Sequence, residues 1–235
     1  MASRYVVGMG LALVLCGQAI GQELVTNGGF ELPVISEPWV KREAGTSFGG
    51  WRVDVDCNGI AQVGSFGRPL AQEGAQSVEL NFLARGGISQ TLATVPGQFY
   101  RLTFLMAGQT DAGPNEKPMR IDWGGVAQQT VTWNRSAAQS KWVPHSVLLR
   151  ASAASTVLHF LGLPDVDGGP YLDAVSVVPT CPADFNGDQF LDFTDFDAFV
   201  ETLQAGGEAA DYNGDGFLTF EDFDVFVETF EAGCG

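Results

Sequence analysis

The chain writes one acidic phrase twice. ADFNGDQFLDFTDFDAFVETLQAGG spans 183–207, and ADYNGDGFLTFEDFDVFVETFEAGC spans 210–234, so Asp184 and Asp211 mark the same position 27 residues apart. Numbered from those two residues, positions 1, 3, 5, 7, 9 and 12 are Asp184, Asn186, Asp188, Phe190, Asp192 and Asp195 in the first copy. In the second they are Asp211, Asn213, Asp215, Phe217, Thr219 and Asp222. A hard cation such as Ca²⁺ takes six to eight oxygens, and this spacing wraps oxygens around one point, with position 7 offering its backbone carbonyl. A single match would be compatible with a solvated acidic turn. Two matches in phase, each followed by the same apolar stripe, predict two Ca²⁺ loops.

The stripes are Phe196, Phe199, Val200 and Leu203, then Phe223, Phe226, Val227 and Phe230. Both follow i, i+3, i+4, i+7, the pattern of an amphipathic helix, and they are expected to pack on each other. No room exists for a helix before either loop, so the unit is a duplicated loop–helix. Position 6 is Gly216 in the second loop and Gln189 in the first. A left-handed turn at a non-glycine residue costs roughly 1–2 kcal/mol, so the first site is expected to bind more weakly.

Charge is split in the same way. The formal net charge is −16, and 181–235 holds 14 Asp/Glu with no Lys or Arg. By contrast, 22–180 holds 14 acidic and 11 basic residues. A tail of this kind favours cations and opposes nucleic acid. Its self-repulsion and its small core predict that metal supplies folding energy.

The N-terminus reads MASRYVVGMGLALVLCGQAIGQ. One Arg, a short apolar run, and Ala19 and Gly21 before Gln22 predict a cleaved secretory signal over 1–21 rather than a membrane span. The protein is therefore expected to be secreted or held at the cell surface. Cleavage would remove Cys16 and leave Cys57, Cys181 and Cys234. The last two bracket the tail, and an oxidising compartment permits a bridge between them. Cys57 is expected to be a small buried hydrophobe.

From 22 to 179 the periodicity changes to two. RLTFLMAG places Leu102, Phe104 and Met106 on one face, and MRIDW does the same with Met119, Ile121 and Trp123. Gly and Pro punctuate the runs. The pattern predicts a mainly β, antiparallel jelly-roll sandwich of about eight to ten strands. Three domains follow: 1–21 as signal, 22–179 as sandwich, and 180–235 as the small helical module.

Catalysis is poorly supported. The chain has two His, and no carboxylate pair is recommended by spacing; His159, inside TVLHFLG, reads as a core or surface residue. Sugar binding needs exposed aromatics that stack on sugar rings. Trp39, in SEPWVKRE, is the best candidate, with Trp123 and Trp133 as further ones, while Trp51 and Trp142 are assigned to the core. The expected function is non-catalytic binding of a glycan or matrix. The alternatives are an accessory subunit or enzyme of extracellular polysaccharide degradation, and a purely structural surface protein.

Two resemblances accompany these readings. CPADFNGD, both loops and the terminal Gly-Cys are similar to a type I dockerin. That resemblance implies a Ca²⁺-folded module that docks to a cohesin-like or other surface partner, chosen in part by loop positions 10 and 11. Here these are Phe193–Thr194 and Phe220–Glu221. LVTNGGFE, GGW, EGAQSVEL, GGISQTLATVPGQFYRLTFLMAG and GPYLDAVSV resemble the choice-of-anchor C family, related to galactose-binding-like sandwiches and carbohydrate-binding modules. In similar sandwiches a Glu after N-x-x-F and an Asp in the last strand share a structural Ca²⁺, which here implies Glu31 and Asp173.

Overall fold

A computed structural model describes residues 22–64, 70–110, 113–138, 141–163, 165–188, 190–213 and 216–233. The region expected to be a signal, together with Gln189, Asp215 and Cys234, lies outside the described residues.

Twelve strands and three helices are described: β1 (Trp39–Arg42), β2 (Ser47–Phe48), β3 (Trp51–Val53), β4 (Ile60–Val63), β5 (Ser77–Glu79), β6 (Gly87–Ala93), β7 (Phe99–Gly108), β8 (Glu116–Trp123), β9 (Val126–Asn134), α1 (Arg135–Ala138), β10 (Val143–Arg150), β11 (Ser155–Gly162), β12 (Pro170–Thr180), α2 (Phe193–Gln204) and α3 (Phe220–Ala232). They form two six-stranded sheets. The first runs β1-β4-β5-β12-β7-β10 and the second β2-β3-β6-β11-β8-β9. Every pairing is antiparallel. The count exceeds the expected eight to ten because β1, β2, β3 and β5 are two to four residues long. Alternation over so short a run carries no readable period.

The core lies between the sheets. Leu102, Phe104 and Met106 of β7 face Met119, Ile121 and Trp123 of β8, with Trp51, Trp133, Phe160 and Leu172 around them. Polar tips are satisfied at the edges of this layer. The indole N–H of Trp51 donates to Asn27 O, that of Trp123 to Arg150 O and that of Trp133 to Lys141 O. The N-terminal segment runs beside the last strand, with Leu24 N donating to Val177 O and Val175 N to Gly28 O. Gly28 is required there, because a Cβ would stand 1.8 Å from Val175 O.

The tail folds as two helices. Each starts at a capping box: Asp192 caps α2 with Asp195 at its third position, and Thr219 caps α3 with Asp222 there. The expected stripes do meet. Phe199 and Phe226 are both fully buried, and their rings stack 4.1 Å apart at 5°. Phe185 and Tyr212, the matching residues of the two copies, each stand edge-on to that stack. Equivalent residues of the two copies thus take equivalent places around one aromatic stack.

Candidate functional site

The two acidic loops show how their sequence works locally. Position 9 is the helix N-cap and position 12 is the third helical residue, so the loop and the capping box share the same side chains. In the first copy, Asp195 Oδ1 accepts from Asn186 N at 3.1 Å and its Oδ2 from Asp192 N at 3.0 Å. In the second, Asp222 Oδ1 accepts from Tyr212 N and Asn213 N, and its Oδ2 from Thr219 N at 2.8 Å. Position 12 therefore ties positions 3 and 9 together in both loops. The reading of Asp195 and Asp222 as metal ligands missed this stapling role, although D-x-x-D and T-x-x-D are legible capping signals.

Other loop positions also bond within the loop. Asp188 Oδ1 accepts from Phe190 N at 2.9 Å, Asn186 Oδ1 from Asp188 N at 2.8 Å, and Asp211 Oδ2 from Gly216 N at 2.9 Å. Gly216 has φ +86°, the left-handed turn its position demands. The side chains of positions 7, Phe190 and Phe217, point to solvent at 70% and 71% exposure. Among the described residues, no group of three or more His, Cys, Asp or Glu is gathered for a metal. The donor set is nonetheless all oxygen, which suits Ca²⁺ rather than a soft metal.

Glu31 and Asp173 bond to the same short segment of the sandwich. Asp173 Oδ2 accepts from Gln72 N at 2.7 Å and Glu73 N at 3.0 Å, and its Oδ1 from Ala174 N. Glu31 Oε1 accepts from Ala75 N and Gln76 N, both at 2.8 Å. Both carboxylates thus organise the segment 72–76. Burial pushes the Asp173 carboxyl up to about 6, against the three backbone bonds that pull it down.

The three Trp expected to bind ligand part company. Trp39 is 53% exposed, whereas Trp123 and Trp133 are 4% and 1% exposed. The last two are core residues and present no ring to a sugar. Their strand parity explains this: Trp123 alternates with Met119 and Ile121, and Trp133 with Val131, all inward-facing. Trp51 is buried as expected. Trp142 is half-buried, and its indole N–H donates to Leu70 O at 2.8 Å.

Trp39 belongs to a feature that alternation alone did not reveal. It pairs with Val63 in β1–β4, and opposed residues share a face. That outer face of the first sheet carries a second apolar cluster of Ala61, Val63, Ala107 and Tyr171, with Phe82 and Trp142 against it. The Trp39 and Phe82 rings stand 4.9 Å apart. Polar groups lie in the floor: the Tyr171 hydroxyl donates to Glu79 Oε2 at 3.0 Å and reaches Gln109 Oε1 at 3.4 Å. The side chains that face each other across the strands thus combine an exposed indole, an apolar bed and a few oriented polar atoms.

The outer face of the second sheet holds a different cluster. His159 Nδ1 and Nε2 each lie 2.9 Å from a carboxylate oxygen, of Asp122 and Asp54 respectively. Arg120 holds Asp122 through two bonds. A cavity of about 360 Å³ beside it is lined by Asp56, Cys57, Arg85 and Leu161 among others. No sequence signal joined these residues, because the partners of His159 are 37 and 105 positions away. Cys57 is half-buried against the main core and is a free thiol. Cys234, the expected partner of Cys181, lies outside the described residues.

No described helix is long and apolar enough to cross a membrane. The chain matches no curated protein. Among solved structures it is similar to a family 35 carbohydrate binding module from Clostridium thermocellum, at 19% identity over 60% of this chain and 98% of that one, with a TM-score of 0.42. It is also similar to TmCBM61 in complex with beta-1,4-galactotriose, at 16% identity over 68% and 100%, TM-score 0.42. A third is the CBM22-1 xylan-binding domain from Paenibacillus barcinonensis Xyn10C, at 15% identity over 68% and 96%, TM-score 0.42. The family match does not itself name the choice-of-anchor C family, and it stops short of the helical tail. Residues 23–178, well over half of the chain, match the family described as protein of unknown function (DUF642), and the chain belongs to that family.

Proposed function

We propose that the chain is a secreted, non-catalytic binding and anchoring protein whose sandwich takes a glycan on the outer face of its first sheet. The observation that carries this reading is the placement of Trp39. An indole 53% exposed, packed on Phe82 at the border of a second apolar cluster, has no role in the main core. It has the form of a stacking platform for a sugar ring, with Glu79, Tyr171 and Gln109 as orienting groups. The tail supplies the anchor. Asp184, Asn186, Asp188, Asp192 and Asp195 would hold one Ca²⁺, with the Phe190 carbonyl; Asp211, Asn213, Asp215, Thr219 and Asp222 would hold another, with the Phe217 carbonyl. The all-oxygen donor set and the stapling of positions 3 and 9 by position 12 in both loops support this. A Cys181–Cys234 bridge would close the module, and a further Ca²⁺ between Glu31 and Asp173 belongs to the same proposal. Docking would be to a cohesin-like or other surface protein.

The test is affinity electrophoresis and a glycan array with the full chain and with Trp39→Ala. Retention by at least one neutral polysaccharide, lost on Trp39→Ala with an unchanged melting temperature, is expected. Retention that ignores this substitution would move the site elsewhere. No retention on any glycan would leave the structural-protein alternative in place.

A further inference from the structure

The cavity on the outer face of the second sheet is walled from both sides. The segment after β3 supplies Val55 and Asp56, the turn before β6 supplies Arg85, and β8 and β11 supply Arg120, His159 and Leu161. Its walls are fixed by bonds to the backbone. Asp54 N donates to Gly87 O at 3.1 Å, Arg85 N to Asp165 Oδ1 at 2.8 Å, and the Cys57 thiol to Asp54 O at 3.1 Å. A Cβ at Gly87 would stand 2.3 Å from Asp54 Oδ2 and would block that carboxylate from reaching His159.

The charges around the cavity fall into two groups. Arg120, Asp122, His159 and Asp54 bond to one another in a chain, and with the imidazole doubly protonated that chain is neutral. Arg85 and Asp56 stand outside it. Both are exposed and line the cavity, and among the described residues neither takes part in an ion pair. One charge of each sign is therefore left for a ligand. A simple anion drawn by Arg85 would meet Asp56 as well, and a simple cation would meet Arg85; like charges in one site reject both. Among the described residues no group of three or more His, Cys, Asp or Glu is gathered for a metal. A sugar ring would find no stacking platform, since Trp, Tyr and Phe are absent from the described lining. The complementary molecule carries an ammonium and a carboxylate on an apolar stem, and Val55 and Leu161 offer that stem its bed.

We propose that this cavity binds a small zwitterion, with the Arg85 guanidinium on its carboxylate and the Asp56 carboxylate on its ammonium. Arg suits the first task because its fork of donors matches a carboxylate in two parallel bonds. The clamped chain through His159 forms a floor that does not reorganise on binding. The volume of about 360 Å³ lies near the lower end for small-molecule sites and suits a free amino acid or the end of a peptide. Both sources share the same chemistry. The site lies on the sheet opposite Trp39 and is independent of glycan binding there.

The test titrates the full chain with ε-aminocaproate, and with caproate and hexylamine as singly charged controls, while the imidazole resonances are followed by NMR. The chain has two His, so His159 reports the cavity and His145, on the other sheet, serves as the internal control. ε-Aminocaproate is expected to shift His159 and leave His145 in place, and each control should bind roughly tenfold more weakly or worse. Arg85→Gln and Asp56→Asn should each weaken the zwitterion about tenfold, since each removes one charge-assisted contact. Both residues are exposed, and unchanged melting temperatures would confirm that the variants fold. Trp39→Ala should leave the titration unchanged. A free amino acid and a short peptide, compared next, identify the source by which of them displaces the probe at lower concentration. Equal binding of either control, equal shifts at both His, or indifference to both variants would overturn the proposal. So would no shift with ε-aminocaproate at all, or displacement of the probe by a neutral monosaccharide, which would make the cavity a second sugar site.

Discussion

His159 Nε2 lies 2.9 Å from Asp54 Oδ2, and that contact ties the segment after β3 to the outer face of the second sheet. The other ring nitrogen is engaged equally with Asp122, so both nitrogens face carboxylate oxygens and only the doubly protonated ring can donate to both. Burial alone would depress the imidazole, but the hydrogen bonds and charges of Asp54 and Asp122 outweigh it and raise its pKa. A raised histidine stabilises the fold fully below its unfolded value near 6.5, and that contribution disappears as pH rises through the folded value. Stability of the wild type should therefore fall between pH 6 and pH 8 more than that of His159→Phe, measured by urea melts at both values. Asp54→Ala should cost about 1–3 kcal/mol at pH 6 and less at pH 8. An imidazole that titrates at or below 6.5 by NMR would contradict this account.

Glu79 adds a second slope of the same sign. Its carboxyl is 6% exposed, and burial pushes it up to about 7 in spite of the bonds from Tyr171 and Gly169. Because the folded value lies above the unfolded one near 4.5, this group favours the fold below that pH and ceases to as pH rises through 7. Glu79→Gln keeps an acceptor for the Tyr171 hydroxyl and removes the buried charge. It should stabilise by about 1–2 kcal/mol at pH 8 and by little at pH 5. Equal effects at the two pH values would mean that the carboxyl does not titrate in this window.

Trp39 and Trp133 should separate under the same substitution. Trp133→Ala empties a core position and should cost about 3–5 kcal/mol. Trp39→Ala removes a ring that is 53% exposed and should shift stability by roughly 0.5 kcal/mol or less. Thermal melts of the two variants would check this. A large loss on Trp39→Ala would recast that ring as structural.

The difference between these two Trp also shows what sequence could convey. The inward parity of Trp123 beside Met119 and Ile121 was readable, and a strict use of alternation would have kept it in the core. The helical stripes were equally readable, since Phe199 and Phe226 fall at i+3 of two identical patterns. The outer cluster around Tyr171 was not. It gathers Ala61, Val63, Ala107 and Tyr171 from β4, β7 and β12, and only the register Ala61↔Glu79↔Tyr171↔Ala107 puts them on one face. The His159 cluster failed for the same reason, because strand order is a property of the whole chain.

The placement of aromatic residues makes the tail separately observable. All five Trp lie between 39 and 142, and α2 and α3 are the only described helices longer than one turn. Trp emission thus reports the sandwich, and the 222 nm signal reports chiefly the tail. Phe226→Ala removes half of the 4.1 Å stack with Phe199 and should cost about 3–5 kcal/mol, more than so small a core can spare. The helical signal should collapse while Trp emission stays fixed. If the loops bind Ca²⁺, millimolar calcium should restore part of the signal in the variant, because a ligand of the folded state alone raises its stability by mass action. Chelator applied to the wild type should mimic the substitution, again without moving the Trp signal. A helical signal that survives both treatments would show that the twin loops hold their shape by the Asp195 and Asp222 staples alone.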